Sequence, residues 1–140
     1  MRAFALTIVP LCALLAACEP AQENGSSQGV VIGAVTPWPQ AAVAAPNDPP
    51  RILAAEISSD VIHPDSWWSG KVATTTNVAV VEMRSPSFSF ILHRSSYGQF
   101  AFRTHVLAIP SIYRRGFEAS IVARTANDST DTRTVQLIFR

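Results

Sequence analysis

Between Arg51 and Arg140 the apolar residues return at every second position. That period suits an extended strand, whose successive side chains point to opposite faces; a helix would repeat near 3.6 residues. Phe117, Ala119, Ile121 and Ala123 alternate with Glu118, Ser120, Val122 and Arg124. Asn127-Asp128-Ser129 turns the chain, and Val135, Leu137 and Phe139 then alternate with Thr134, Gln136 and Ile138. Upstream, Phe88, Phe90 and Leu92 oppose Ser89, Ile91 and His93, and Phe100, Phe102 and Thr104 oppose Ala101, Arg103 and His105. Ala79, Val81 and Met83 share one face of a strand over 78–84, and Ile52, Ala54 and Ile57 belong to a first short strand ended by Ser58-Ser59-Asp60. Gly70, inside the stretch from Trp67 to Thr76, marks a bulge or a close approach. Ser85-Pro86-Ser87, Ser95-Ser96-Tyr97-Gly98 and the connection from Pro110 to Gly116 separate these runs. About seven short strands with no convincing helix predict an all-β chain, folded as one antiparallel sandwich.

The N-terminus has a different character. Arg2 precedes an uncharged, mostly apolar run from Ala3 to Ala17, too short for a membrane-spanning helix of roughly 20 residues. Leu15-Ala16-Ala17-Cys18 closes the run, followed at once by Glu19 and Pro20. It resembles the lipobox of bacterial lipoproteins. The resemblance implies a signal peptide over 1–17, diacylglyceryl transfer to the Cys18 thiol and cleavage before it. Two or three acyl chains hold firmly, since each buried CH₂ contributes ~0.8 kcal/mol. The expected place is the cell membrane or outer membrane, with the domain in the periplasm or on the cell surface; Glu19 in place of Asp favours the outer membrane by analogy. Cys12 and Cys18 are the only cysteines. Removal of one and acylation of the other leave no thiol for catalysis, for a disulfide or for a metal.

Residues 18–50 read as the lipidated cysteine and a flexible tether, rich in Gly and Ser first and in Pro and Ala later. Its 32 residues after Cys18 would span roughly 100 Å at full extension and ~31 Å as a coil. Val30-Val31-Ile32-Gly33-Ala34-Val35 resists that reading. Its β-branched content leaves open an extra strand docked on the domain edge or an unattached apolar patch. Trp38, between two prolines, is a recognition element, is packed on the domain or is simply solvated.

The domain itself is assigned to 51–140. Phe117-Glu118-Ala119-Ser120-Ile121-Val122-Ala123-Arg124-Thr125-Ala126-Asn127-Asp128, followed by Thr134 to Phe139, resembles the final hairpin of immunoglobulin-like and fibronectin III-like domains. The resemblance implies an Ig-like antiparallel β-sandwich. Asp128 stands where such hairpins usually carry Gly, Phe117 replaces the common Tyr, and the cysteine pair is missing.

Chemistry is sparsely marked. Ten Arg/Lys face seven Asp/Glu over 51–140, too even a balance to suggest nucleic acid as a partner. No Gly-x-Ser-x-Gly elbow and no phosphate-binding glycine loop occur. His63, His93 and His105, with Asp65, lack the spacing of a local metal site, so no metal and no cofactor are expected. Trp67-Trp68 divides between faces: one indole enters the core, and the other is exposed for a partner or a sugar, or covered by a neighbouring segment. Arg114-Arg115 either meets phosphate or an acidic partner or is a solvated loop. Trp67, Trp68, Arg114 and Arg115 are therefore the candidate ligand-binding residues, and Cys18 the lipid-attachment site. The functional expectation is a membrane-anchored, non-enzymatic module that binds an envelope protein or polysaccharide. A structural subunit of an envelope complex, pairing through a sheet edge, is the alternative. A small secreted hydrolase is a distant third.

Overall fold

A computed structural model describes residues 29–108 and 114–140. Every regular element among them is a strand. In chain order these are β1 (Val30–Ile32), β2 (Ile52–Ile57), β3 (Val61–Ile62), β4 (Ser66–Thr74) and β5 (Val78–Arg84). There follow β6 (Ser89–Ile91), β7 (His93–Ser96), β8 (Gln99–Val106), β9 (Gly116–Thr125) and β10 (Thr130–Phe139). They make two five-stranded sheets, β1-β2-β4-β8-β7 and β3-β10-β9-β5-β6. The all-β expectation holds, with two differences. There are ten strands where about seven were expected, and the sheets are mixed because β1 runs parallel to β2 and β3 parallel to β10. β1 and β3, three and two residues long, are too short to leave an alternation in the sequence, and the run read as one strand over 88–93 divides into β6 and β7.

The inner faces enclose one core. Ala55, Ile57, Trp68, Val72 and Phe100 come from the first sheet, and Val81, Met83, Ala119, Ile121, Ala123 and Leu137 from the second. The strong alternation of β9 and β10 survives intact: Ala119, Ile121, Ala123, Val135 and Leu137 are buried. Two strands depart from simple parity. A register shift between Ile52 and Ala54 buries Ala55 with Ile52 and Ile57 and leaves Ala54 half-buried. Another between Val78 and Val80 buries Val78 and leaves Ala79 exposed. In both, one extra residue turns the following side chains to the other face. Asp128 occupies the hairpin position where Gly is usual and adopts φ 63° there, a left-handed conformation that Asp tolerates better than most residues.

The part of the expected tether that lies within the described residues rests on the sandwich. Val30, Val31 and Ile32 pair with Ala55, Glu56 and Ile57, and the Gly33 N–H donates to Ile57 O at 2.8 Å. Val35 N–H donates to Glu56 Oε2 at 2.7 Å, and Trp38 Nε1–H to Gln99 Oε1 at 2.8 Å. Farther along, Thr76 N–H donates to Ala42 O, Ala44 N–H to Thr76 Oγ1, and Asn77 Nδ2 to the carbonyls of Ala45 and Asp48. Val30–Ile32 is thus the extra edge strand, and the Pro/Ala-rich stretch after it follows the first sheet. Polar contacts, rather than burial of its own apolar surface, offset the entropy that its composition would otherwise leave unmatched.

Candidate functional site

The outer face of the first sheet gathers polar and aromatic groups. Alternation in β4 and β8 creates it: Trp67, Ser69 and Lys71 point outward, as do Ala101, Arg103 and His105 opposite them. The register aligns Trp67 with His105, and their rings meet edge to face at 5.1 Å. The Arg103 guanidinium lies 4.7 Å from the centre of the Trp67 ring. His105 Nε2 stands 3.1 Å from Asp65 Oδ1. Asp65 is held in a left-handed conformation, φ 55°, and its N–H donates to Val106 O. The neighbouring hydroxyl is committed elsewhere, since Ser66 Oγ donates to His63 O at 2.6 Å. The patch therefore joins an indole, a guanidinium and an imidazole–carboxylate pair, without a hydroxyl aligned on the imidazole.

One register step away, Glu56 and Lys71 form a 2.9 Å ion pair beside a shallow pocket of about 380 Å³. Gly33, Ala34, Ser58, Ser69 and Ala101 contribute to its walls. Lys71 Nζ also lies 4.6 Å from the centre of the Trp38 ring. Burial pushes the Glu56 carboxyl up, but the Val35 N–H and the Lys71 hydrogen bond and charge outweigh it and hold it below its ordinary value. Glu56 thus stays ionised and ties the docked segment to the sheet.

The second sheet has its own charged group. Glu82 accepts hydrogen bonds from Arg84 at 2.7 Å and from Arg124 at 3.3 Å, and from the Ser89 hydroxyl. The Arg84 and Ser89 hydrogen bonds, in that order, exceed the opposing effect of burial, and with the charges of Arg84 and Arg124 they hold the carboxyl down at about 2. A carboxyl lowered in this way stabilises the fold in its ionised form. Its contribution is complete above the ordinary value of 4.5 and is lost as pH falls towards 2. Glu82→Gln is expected to lower stability at pH 7 and to flatten the acid dependence between those limits, as read from urea midpoints across pH. An acid limb as steep in the variant as in the parent would show that another group titrates there.

The four residues nominated from the sequence are dispersed. Trp67 is 60% exposed on the outer face, whereas Trp68 is 4% exposed and belongs to the core. Arg114 and Arg115 are exposed on the approach to β9, and Arg115 O accepts the Phe139 N–H in the second sheet. Cys18 and the lipobox lie outside the described residues. The histidines are also apart: His93 pairs with Ala101, four positions along β8 from His105. Among the described residues no three His, Cys, Asp or Glu side chains come together as a metal site. Arg103, His105, Asp65 and the Glu56–Lys71 pair were not singled out from the sequence as a surface; only the register of β4 against β2 and β8 assembles them.

No family model matches the sequence, and no curated protein is detectably similar to it. Among solved structures, the chain is similar in outline to the superoxide reductase (neelaredoxin) of Ignicoccus hospitalis. A single-residue variant of that enzyme superposes with a TM-score of 0.42 at 9% identity, over 66% of this chain and 80% of that one. A second variant gives 0.42 at 8% identity with the same coverage. The unsubstituted form gives 0.40 at 9% over 66% and 81%. These enzymes correct the expectation of a non-enzymatic module that binds only a protein or a glycan. The missing sequence motifs do not exclude catalysis, because active sites also arise from residues on separate strands. At this level of similarity the likeness assigns neither a reaction nor a residue.

Proposed function

We propose that this protein is an exported lipoprotein, anchored through Cys18, that holds an Ig-like sandwich close to a bacterial membrane. The Leu15-Ala16-Ala17-Cys18 lipobox, after a short apolar run with Arg2 before it, carries the reading. Strand order supports the Ig-like assignment. β2, β4, β8 and β7 follow the order of one Ig sheet, and β10, β9 and β5 that of the other, with the connections such a sandwich requires. The docked segment sharpens the picture of the anchor. Only residues 19–28 separate Cys18 from Gly29, where the described chain begins. That interval reaches at most about 40 Å, against roughly 100 Å if all of 19–50 were free. The domain then works near the headgroups rather than far from them.

Cys18→Ser is the decisive test. The parent is expected in the membrane fraction, resistant to extraction by salt and released by detergent, and labelled by a radioactive or clickable fatty acid. The variant should lose the label and become soluble after export. A variant that still sediments with membranes and resists salt would overturn the anchor.

A further inference from the structure

The geometry points to a site for the acyl chain of a fatty-acid anion between the two sheets, at the end of the sandwich where β3, β8 and β10 finish. It does not depend on the lipid anchor. A pocket of about 180 Å³ opens there, walled by Trp68, Phe88, Phe90, Phe139 and Val106, with Ile62 behind them. Thr104 supplies its one polar side chain. The aromatic walls pack on one another: Trp68 meets Phe88 and Phe90 edge to face at 6.1 and 6.4 Å, and Phe88 stacks on Phe90 at 5.8 Å. The Trp68 indole N–H is already used, donating to Ser59 O at 2.9 Å, so it asks nothing of a guest. An apolar cavity of about 150 Å³ is large enough for a benzene-sized guest and offers water no partners. This pocket suits the terminal methylenes of one chain, not a paired-chain lipid or a sugar.

Charge at the same end selects the head. Arg140 follows Phe139 and donates its N–H to Ile62 O, while Arg115 O accepts the Phe139 N–H. Two lining residues are thereby bonded to arginine backbones, and Arg114 stands next in the chain. All three arginines are exposed, and among the described residues none of them makes an ion pair. The acids nearby are Asp60, whose carbonyl accepts the Ile138 N–H, and Asp65, which is paired with His105. The excess is cationic, complementary to a carboxylate and unfavourable to an ammonium head.

The test titrates the full chain carrying Cys18→Ser with short-chain carboxylates below their micelle concentrations, read by calorimetry and by tryptophan fluorescence. Binding of decanoate should saturate at one site. Affinity should rise about fourfold per methylene from butyrate upward until the pocket is full. Decanol and decyltrimethylammonium should bind at least tenfold more weakly. Thr104→Leu and Val106→Phe fill the pocket and should each reduce decanoate affinity tenfold or more while keeping a cooperative urea transition. Arg115→Glu combined with Arg140→Glu should weaken decanoate and leave decanol unchanged. Absence of saturable decanoate binding, affinity independent of chain length, or equal binding of decanol would overturn the assignment. So would undiminished binding in a folded filling variant. The chain-length series uses no pocket substitution, so it decides the matter even if neither filling variant folds. None of these results bears on whether Cys18 is acylated, which the fractionation test reads separately.

Discussion

Trp68→Ala should cost about 3–5 kcal/mol, the range for truncating a large buried aromatic. Set against a total of roughly 5–15 kcal/mol for a domain, that brings the variant to the edge of unfolding at 25 °C. The size of the effect follows from the contacts of Trp68. It is 4% exposed, its ring meets Phe102 at 4.7 Å, and it reaches Phe88 and Phe90 on the opposite side of the core. Truncation removes the indole from between the two sheets and leaves Ser59 O without its donor. Trp68→Phe should retain much of the packing and lose chiefly that hydrogen bond, about 1–2 kcal/mol. Trp67→Ala, on the exposed neighbour, should cost less than about 1 kcal/mol, since only its contacts with Arg103 and His105 are lost. Urea denaturation followed by circular dichroism ranks the three. A Trp68→Ala loss no larger than that of Trp67→Ala would contradict the assignment of faces.

The adjacent tryptophans also show what the sequence could and could not reveal. Two neighbours on a strand must divide between faces, so one buried and one exposed indole was legible, but nothing local said which. The frame came from the pairing of β4 with β8. β9 and β10 were the most readable elements because the inner positions of their middle stretches, Ala119, Ile121 and Ala123 and then Val135 and Leu137, are apolar and their outer ones mostly polar. β2 and β5 were less so, because a single bulge reverses parity and leaves no compositional mark. The stretch after Val35 was the least readable part of the fold. Its anchors are Glu56, 21 residues beyond Val35, and Gln99, 61 residues beyond Trp38. A contact between single polar groups at such separation has no period and no motif. The same applies to the candidate surface. Trp67 was conspicuous by itself, whereas Arg103, His105 and Asp65 acquire meaning only through register. The inter-sheet pocket likewise draws its walls from β3, β4, β8 and β10 and from Phe88 and Phe90, each of which looks like ordinary core in isolation.

Gly70→Ala should lower stability by about 2 kcal/mol, although alanine in the interior of a strand ordinarily gains 0.5–1 kcal/mol over glycine. Gly70 lies opposite Ile57 on one neighbouring strand and Phe102 on the other. A Cβ there would come 2.5 Å from a Phe102 ring carbon and 2.6 Å from the Glu56 carbonyl oxygen. The ring has some freedom to swing, but it would move into Trp68, 4.7 Å away. The carbonyl has none, because it belongs to the backbone of β2. Relief therefore requires β2 and β4 to separate where the Glu56–Lys71 pair and the docked segment both attach, so the variant should also expose residues 33–38 to proteases. Gly116 is the matched control: its added Cβ would meet only Leu137 O, at 3.8 Å, and Gly116→Ala should stay within about 0.5 kcal/mol of the parent. Parallel urea transitions and a timed proteolysis course measure both effects. If Gly70→Ala proves as stable as the parent and as resistant between β1 and β2, the close approach of the Phe102 ring and the β2 carbonyl is not a feature of the folded protein.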